Sequence, residues 1–118
     1  MESLEVTVYA FSDKQKELMN ACRMVSEQSL EETGCVDSRF SQDSADKNLI
    51  KLKQVWEHRR LLDDYFRSHH FSALLGAIKW LGKDYEIRIY NGNKNEGLNA
   101  VENARVRQAL NAAPVTEE

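Results

Sequence analysis

The chain has 118 residues, a length that fits one domain. Apolar residues make up 42% and charged residues 30%, the balance of an ordinary globular protein. The net charge of −3 leaves no basic excess to neutralise phosphates, so nucleic-acid binding is not expected. With no signal-peptide pattern and no apolar run of about 18 residues, no membrane contact is expected and a cytoplasmic location is predicted.

The first elements in chain order are a strand and a helix. Residues 4–11 alternate, with Leu4, Val6, Val8 and Ala10 on one face and Glu5, Thr7, Tyr9 and Phe11 on the other, and β-branched and aromatic residues at a period of two indicate a strand. Ser12 and Gln15 have the spacing of a capping box, so a helix is predicted over residues 13–32. Gly34 provides a left-handed stop after that helix.

A hairpin and a broken helix follow. Strands are predicted over residues 35–42 and 49–56, and the short polar connection between them is typical of a hairpin. Residues 57–81 carry two apolar stripes at helical spacing, and Ser68 between them can cap a new start. We therefore expect a short helix, a break near Ser68, and a longer helix that ends at Gly82.

The last strand is predicted over residues 85–90, and the chain changes character after Asn91. A polar, turn-forming segment precedes a possible helix over residues 98–112, which Pro114 would end. The apolar stripe of that helix is thin, consisting of Leu98, Val101, Ala109 and Leu110. The segment is either an accessory helix that docks on a neighbour or a frayed tail.

This β-α-β-β-α-β order predicts an α+β, ferredoxin-like fold whose antiparallel sheet has both helices on one face. The ferredoxin-like domain is placed at residues 1–91 and a C-terminal extension at 92–118. The open face of the sheet is predicted to carry Trp56 and Tyr9, which is too much aromatic surface to leave in water. A second copy that covers this face is the reason to expect a homodimer.

Three motifs together resemble the antibiotic biosynthesis monooxygenase family. They are Glu32-Thr33-Gly34-Cys35, Trp56-Glu57, and the tract Phe66-Arg67-Ser68-His69-His70-Phe71. The resemblance covers about residues 3–91 and implies a dimeric α+β barrel with a pocket between sheet and helices. Characterised members of the family oxygenate polyphenols or quinols without metal or flavin, and others degrade haem.

The resemblance carries over only in part. Trp56 matches the family's pocket tryptophan and His70 its common helix histidine. Phe66 occupies the position nearest the haem ligand of the haem-degrading branch, which disfavours haem degradation. Leu52 and Leu62 stand where the polyketide-oxidising branch has an asparagine and a tyrosine, so the polar residues of that mechanism are missing.

These comparisons and the residues themselves define a candidate site. The predicted catalytic residues are His70, as general base, and Arg88, as the cation for a phenolate oxygen. The predicted substrate-binding residues are Trp56, Tyr9, Tyr65, Phe66 and Arg39. Each has a structural alternative: Trp56 as a core aromatic, His70 as a histidine that stabilises a helix start, and the arginines as partners of Glu5 or Glu86.

Two functions remain open on this basis. The first is a cofactor-independent monooxygenase that acts on a small phenolic or quinol-type aromatic compound. The second is a non-catalytic module that binds a small molecule or only dimerises. No metal or other cofactor is expected, because the three histidines do not form a ligand set. Cys22 and Cys35 are interpreted as small buried apolar residues.

Overall fold

The computed structural model describes residues 1–92 and 94–112, with side chains as far as residue 106. In this part of the chain the backbone forms five strands and four helices. The strands are β1 (Glu2–Ala10), β2 (Cys35–Gln42), β3 (Leu49–Trp56), β4 (Gly82–Asn91) and β5 (Lys94–Glu96). The helices are α1 (Gln15–Ser29), α2 (Arg59–Phe66), α3 (His69–Leu81) and α4 (Leu98–Ala112).

The strands form one antiparallel sheet in the order β2-β3-β1-β4-β5. The first strand lies in the middle of this sheet, between β3 and β4. With α1 and α3 as the crossover helices, the first four strands have the split βαβ arrangement. The predicted α+β, ferredoxin-like fold is therefore confirmed, with β5 added at one edge.

One face of the sheet packs against the helices because apolar side chains alternate along the strands. Trp56 lies on this helical face and has no exposed surface. The prediction that it lies on the open face is wrong. Trp56 follows Leu52 and Gln54 at a period of two, and those residues pair opposite Val6 and Leu4 of the buried face of β1.

The start of α1 also differs from the prediction. The chain enters α1 through a single 3-10 turn, Ser12–Lys14, and neither element has a side-chain cap among the described residues. The Lys14 amide instead donates to the Phe11 carbonyl at 2.8 Å. The Gln15 side-chain amide donates to Asn48 Oδ1 at 2.5 Å. The tight turn thus replaces the capping box with a backbone hydrogen bond.

The break between α2 and α3 falls at Ser68, as predicted. Its backbone is extended, and its side-chain oxygen accepts a hydrogen bond from the Phe71 amide at 3.1 Å. The change of direction brings Phe66 and Phe71 from two different helices to a ring-centroid distance of 4.9 Å. Ser68 therefore positions an aromatic pair in the interior.

After β4 the chain adds a strand and a helix. β5 pairs with the end of β4 after Gly92, which has a positive φ of 58°. Helix α4 then packs on α2 and β4 and buries Val101 and Ala104 in the core. A docked helix is thus found rather than a frayed tail, and it docks on its own chain. The side chains of Ala109 and Leu110, and Pro114 as a whole, lie outside the described part of the structure.

None of the described helices has the length and apolar character needed to cross a bilayer.

Candidate functional site

Four aromatic side chains fill the space between the sheet and helices α2 and α3. The ring centroid of Trp56, at the end of β3, lies 4.6 Å from that of Tyr65 on α2. Phe71 lies 5.3 Å from Tyr65 and 4.9 Å from Phe66. Three of these rings have no exposed surface, and Tyr65 is 2% exposed. The structure thus brings three predicted substrate-binding residues together, in an interior that their own side chains fill.

Polar side chains link this cluster to the neighbouring elements. Trp56 Nε1 donates to Gln54 Oε1 at 3.1 Å, and Gln54 Nε2 donates to Ser38 Oγ at 3.0 Å. Ser26 of α1 donates to the Ser38 carbonyl at 2.9 Å. Gln54 is almost completely buried, and a buried amide without such partners is costly. The hydrogen bonds therefore orient the Trp56 indole and join β2, β3 and α1.

The hydroxyl of Tyr65 belongs to the same buried region. It lies 3.0 Å from Ser29 Oγ on α1. Burial raises the pKa of Tyr65, and hydrogen bonds with Ser29 and Gln54 offset only part of that effect. Tyr65 is therefore a neutral phenol at physiological pH, which can donate a hydrogen bond but cannot act as a base.

The glycine-cysteine motif and the histidine motif meet between α1 and α3. His70 Nδ1 lies 3.0 Å from Glu32 Oε1, and 44% of the His70 side chain is exposed. This contact agrees with the structural alternative, in which His70 stabilises the start of α3. Gly34 has a φ of 91°, and a Cβ there would lie 2.4 Å from Leu61 Cδ1. Glycine is therefore required at this position by both backbone conformation and packing.

His70 also lines a small hollow on the helical surface. The hollow has a volume of about 200 Å³ and lies between α1 and α3, beside Met24 and Leu74. It is separate from the Trp56 cluster, whose rings line neither this hollow nor the three larger concave sites at the surface of the described residues. His70 is thus placed at the surface rather than in the aromatic interior.

The open face of the sheet is charged across its middle. One row of register neighbours crosses four strands: Arg39, Lys53, Glu5 and Arg88. Arg39 forms an ion pair with Asp37 at 2.9 Å, and Arg88 forms one with Glu86 at 2.9 Å. Arg88 therefore pairs with Glu86, a residue that its structural alternative named, but within β4 rather than between strands or subunits. Tyr9 and Tyr90 lie on the same face, 38% and 37% exposed.

The predicted site residues therefore occupy three separate places. Trp56, Tyr65 and Phe66 lie in the interior, His70 on the helical surface, and Tyr9, Arg39 and Arg88 on the open face. The sheet itself separates His70 from Arg88, because Arg88 alternates with inward-facing Ile87 and Ile89. One small substrate therefore cannot contact both His70 and Arg88 of the same protomer. The roles predicted for the single residues stay predictions.

In the described part of the chain, the thiols and the acidic side chains have no arrangement that indicates covalent or metal chemistry. Burial raises the pKa of both Cys22 and Cys35 to about 11, so both are uncharged thiols at neutral pH. Among the residues that the structure describes, no three histidine, cysteine or carboxylate side chains converge as metal ligands.

A further concave surface, not predicted from the sequence, lies between α3, β4 and α4. Its volume is about 530 Å³, and its walls include Leu75 and Lys79 of α3, Tyr85 of β4, and Leu98, Val101 and Arg105 of α4. Its sequence signals are the helical spacing of Leu75 and Lys79 and, for the opposite wall, the thin apolar stripe of α4 that includes Leu98 and Val101. That these two walls face each other has no sequence signal.

The comparisons with known proteins identify the family. A family profile described as antibiotic biosynthesis monooxygenase matches residues 1–76. The chain belongs to the antibiotic biosynthesis monooxygenase (ABM) family. The ABM match includes the motifs around Gly34, Trp56 and His70, and it ends within α3. Strands β4 and β5 and helix α4 lie beyond it.

Solved structures confirm the ABM fold. A candidate antibiotic biosynthesis monooxygenase from Nitrosomonas europaea is 21% identical and covers 80% of this chain and 100% of its own, with a TM-score of 0.72. A candidate from Deinococcus radiodurans is 17% identical over 80% and 94%, with a TM-score of 0.74. A conserved protein from Methanosarcina mazei Go1 is 26% identical over 76% and 90%, with a TM-score of 0.71. None of the curated proteins matches this chain.

Proposed function

We propose that this ABM protein is a monooxygenase that oxidises a small phenol or hydroquinone without a bound cofactor. The observation that carries the proposal is the pairing of Trp56 with Tyr65 inside the ABM-matched region, held by Gln54 and Ser29. An indole face beside a neutral phenol and an amide suits a planar aromatic compound with oxygen substituents.

The proposed reaction balances without an external reductant. A phenol and dioxygen give a quinone and water: one oxygen atom becomes a ring carbonyl, and the other leaves as water. The substrate supplies all the electrons, beginning with transfer from its phenolate form to dioxygen. The protein then has to bind the aromatic ring, exclude water and take up a proton.

The packed aromatic interior limits how a substrate could reach Trp56. Because Trp56, Phe66 and Phe71 are fully buried, a substrate reaches the indole only if α2 or α3 moves aside. His70 lies at the start of α3, with its Nδ1 held by Glu32, and we assign it the role of proton acceptor. Arg39 and Arg88 serve an anionic oxygen only for a ligand on the open face of the sheet.

We also propose that two copies pair through the open face, as the sequence predicts. The exposed Tyr9 and Tyr90 and the mixed row of charges support this arrangement. Light scattering should give the mass of a dimer, and Glu5→Lys should shift it toward the monomer. Glu17→Lys, at an exposed position of α1 away from the sheet, is the matched control. A monomeric mass for the unaltered protein would contradict the dimer.

Oxygen uptake tests the proposed chemistry. The purified protein is mixed with a panel of hydroquinones and polyphenols, with and without a chelator. We expect uptake above the rate of autoxidation that the chelator leaves unchanged and that Trp56→Phe reduces. Trp80→Phe, at a side chain that is 78% exposed, should leave it unaltered. Lack of protein-dependent uptake across the panel would argue against the monooxygenase.

A second candidate function is favoured by the filled interior. If the aromatic cluster serves only to stabilise the fold, the protein is a binding or dimerisation module without turnover. Binding of a panel compound with no oxygen uptake would support this second function. Equal oxygen uptake by the unaltered protein, Trp56→Phe and Trp80→Phe would mean that Trp56 takes no part in the oxidation.

A further inference from the structure

The concave surface between α3, β4 and α4, named here the α3–α4 cleft, has the features of a ligand site. Its volume of about 530 Å³ lies within the range of pockets that hold small molecules, roughly 300–1,000 Å³. Most of its lining lies beyond residues 1–76, the part that matches the ABM profile. It is therefore a different place from the aromatic interior and does not depend on the proposed oxidation.

The walls of the cleft carry apolar side chains on both sides, with charged and polar side chains beside them. Leu75 and Lys79 lie one turn apart on α3, so both point toward α4. Leu98 of α4 is partly exposed on the facing wall, with the completely buried Val101 behind it. The half-buried Tyr85 of β4 contributes an aromatic ring to the lining. A flat apolar ring fits between such walls better than a strongly hydrated ligand.

Hydrogen bonds from arginine side chains hold the α4 wall in place. Arg105 Nη1 donates to the Phe66 carbonyl at 2.5 Å, and Arg105 Nη2 donates to Ser72 Oγ at 3.1 Å. Arg67 Nη1 donates to the Ala104 carbonyl at 3.2 Å. These contacts join α4 to the end of α2 and the start of α3, so the cleft is formed before any ligand arrives.

The charges of the lining select the kind of ligand. Lys79 and Arg105 contribute two positive charges, and Glu102 contributes one negative charge. Arg105 uses part of its guanidinium to hold α4, and a guanidinium has further N–H donors for an anionic oxygen. The cleft therefore combines apolar walls with a net positive charge.

We propose that the α3–α4 cleft binds a small aromatic carboxylate, with its ring between Leu75 and Leu98 and its carboxylate toward Lys79 and Arg105. This site goes beyond the proposed monooxygenase reaction. The relative from Nitrosomonas europaea aligns over its full length yet covers 80% of this chain, so a fifth of this chain has no counterpart there. The cleft needs α4, which lies beyond the residues that match the ABM profile.

The test uses 2-naphthoate as the probe and 2-naphthamide as its neutral counterpart. Titration of the full-length, isotope-labelled protein followed by amide NMR shifts reports both the affinity and the location of binding. We expect saturable binding of 2-naphthoate, with the largest shifts in α3, β4 and α4, and at least about tenfold weaker binding of the amide. No dioxygen consumption is measured, so failure of the oxygenase proposal leaves this test intact.

A charge-reversed pair of variants supplies the control. Lys79→Glu places a negative charge in the cleft, whereas Lys83→Glu makes the same change on the exposed start of β4, outside the lining. We expect Lys79→Glu to weaken naphthoate binding roughly tenfold and Lys83→Glu to leave it nearly unchanged. No saturable binding up to about 10 mM, shifts centred on the Trp56 cluster, or equal effects of both variants would overturn the proposal.

Discussion

The aromatic interior and the α3–α4 cleft are both spaces between helices and the sheet, yet only the cleft is open. Large rings from β3, α2 and α3 occupy the interior, and the polar atoms beside them have hydrogen-bond partners. The cleft is walled instead by α4, which contacts the core through the small side chains Val101 and Ala104. The difference shows that side-chain volume decides where a fold leaves room for a ligand.

The two regions also differ in what holds them together. The interior depends on apolar burial, which is worth about 1.5–3 kcal/mol for each large side chain. The α4 layer, meaning α4 and the preceding β5, depends more on hydrogen bonds: those from Arg67 and Arg105 hold α4, and that from Arg59 holds Glu96 of β5. Partly exposed polar contacts contribute less each, so the α4 layer is expected to open locally at a lower free energy than the interior.

The two tryptophans give the largest expected contrast. Trp56→Ala removes a fully buried ring and should lower the free energy of unfolding by about 3–5 kcal/mol. Trp80→Ala changes a side chain that is 78% exposed and should stay within about 0.5 kcal/mol. Guanidinium denaturation followed by circular dichroism measures both. Similar losses for the two variants would mean that the interior is not the packed region described.

Two glycines should respond with opposite signs. Gly34→Ala forces a side chain into a φ of 91° and against Leu61, which should lower the free energy of unfolding by about 1–3 kcal/mol. A Cβ at Gly76, on α3, meets nothing within 4 Å. Gly76→Ala should therefore raise the free energy of unfolding by about 0.5–1 kcal/mol through helix propensity. Calorimetric melting of both variants checks the signs; a shared sign contradicts this account.

The attachment of β5 can be weakened at Arg59. Arg59 Nη2 donates to Glu96 Oε1 at 3.0 Å, and Arg59 Nε donates to Asp63 Oδ1 at 3.0 Å. Arg59 Nη1 also lies 3.6 Å from the buried Glu2 carboxylate. Arg59→Met should lower the free energy of unfolding at neutral pH by about 1–2 kcal/mol. Urea denaturation at pH 7 measures the change.

The pH dependence of the Arg59 effect has a definite sign. The hydrogen bond from Arg59 lowers the pKa of Glu96 below its ordinary value. A lowered pKa adds stability above the unfolded pKa of about 4.3, and that stability is lost as the pH falls through the folded value. The difference between the unaltered protein and Arg59→Met should therefore shrink as the pH falls below the ordinary glutamate pKa. Arg23→Met, at an exposed position of α1, is the control. A difference that does not depend on pH would contradict the proposed attachment of β5 by Arg59.

The smallest expected effect concerns the hydroxyl of Tyr65. Tyr65→Phe leaves the ring cluster intact and should lower the free energy of unfolding by about 1 kcal/mol, because Ser29 loses its partner. Burial raises the pKa of Tyr65. The stability that the neutral phenol contributes is therefore fully present below the ordinary tyrosine pKa of about 10, and it is lost as the pH rises through the higher pKa of the folded state. An absorbance titration at alkaline pH should show late ionisation of Tyr65, and Tyr65→Phe should remove that late step.

Much of the fold could be predicted, because its elements carry local signals. Strands β2 and β3 have the predicted ends, and the cap at Ser68 separates α2 from α3. Strand β5 was missed because its residues lack apolar alternation; it exists through pairing with β4 after the turn at Gly92. The wrong face for Trp56 arose from the expectation of an aromatic open face, whereas the strand period places it toward the helices.

The candidate site was harder to predict than the fold. Residue type alone identified Trp56, His70 and Arg88 as side chains that can stack, accept a proton or bind an anion. The sequence does not show that the sheet lies between His70 and Arg88. Whether a cavity stays open depends on how side-chain volumes meet across elements that are distant in sequence. The α3–α4 cleft arises in this way, because its walls come from Leu75 and Leu98 on separate helices.

The central position of β1 has a consequence for synthesis. Strand β1 is translated before its neighbour β4, which is complete only at Asn91. The side chains of Glu2 and Asn91, which meet where the two strands pair, are 89 positions apart in the sequence. Until β4 emerges, one edge of β1 has no ladder partner and exposes N–H and C=O groups to other chains. A nascent chain stalled before Gly82 is therefore expected to need chaperone protection that the finished chain does not.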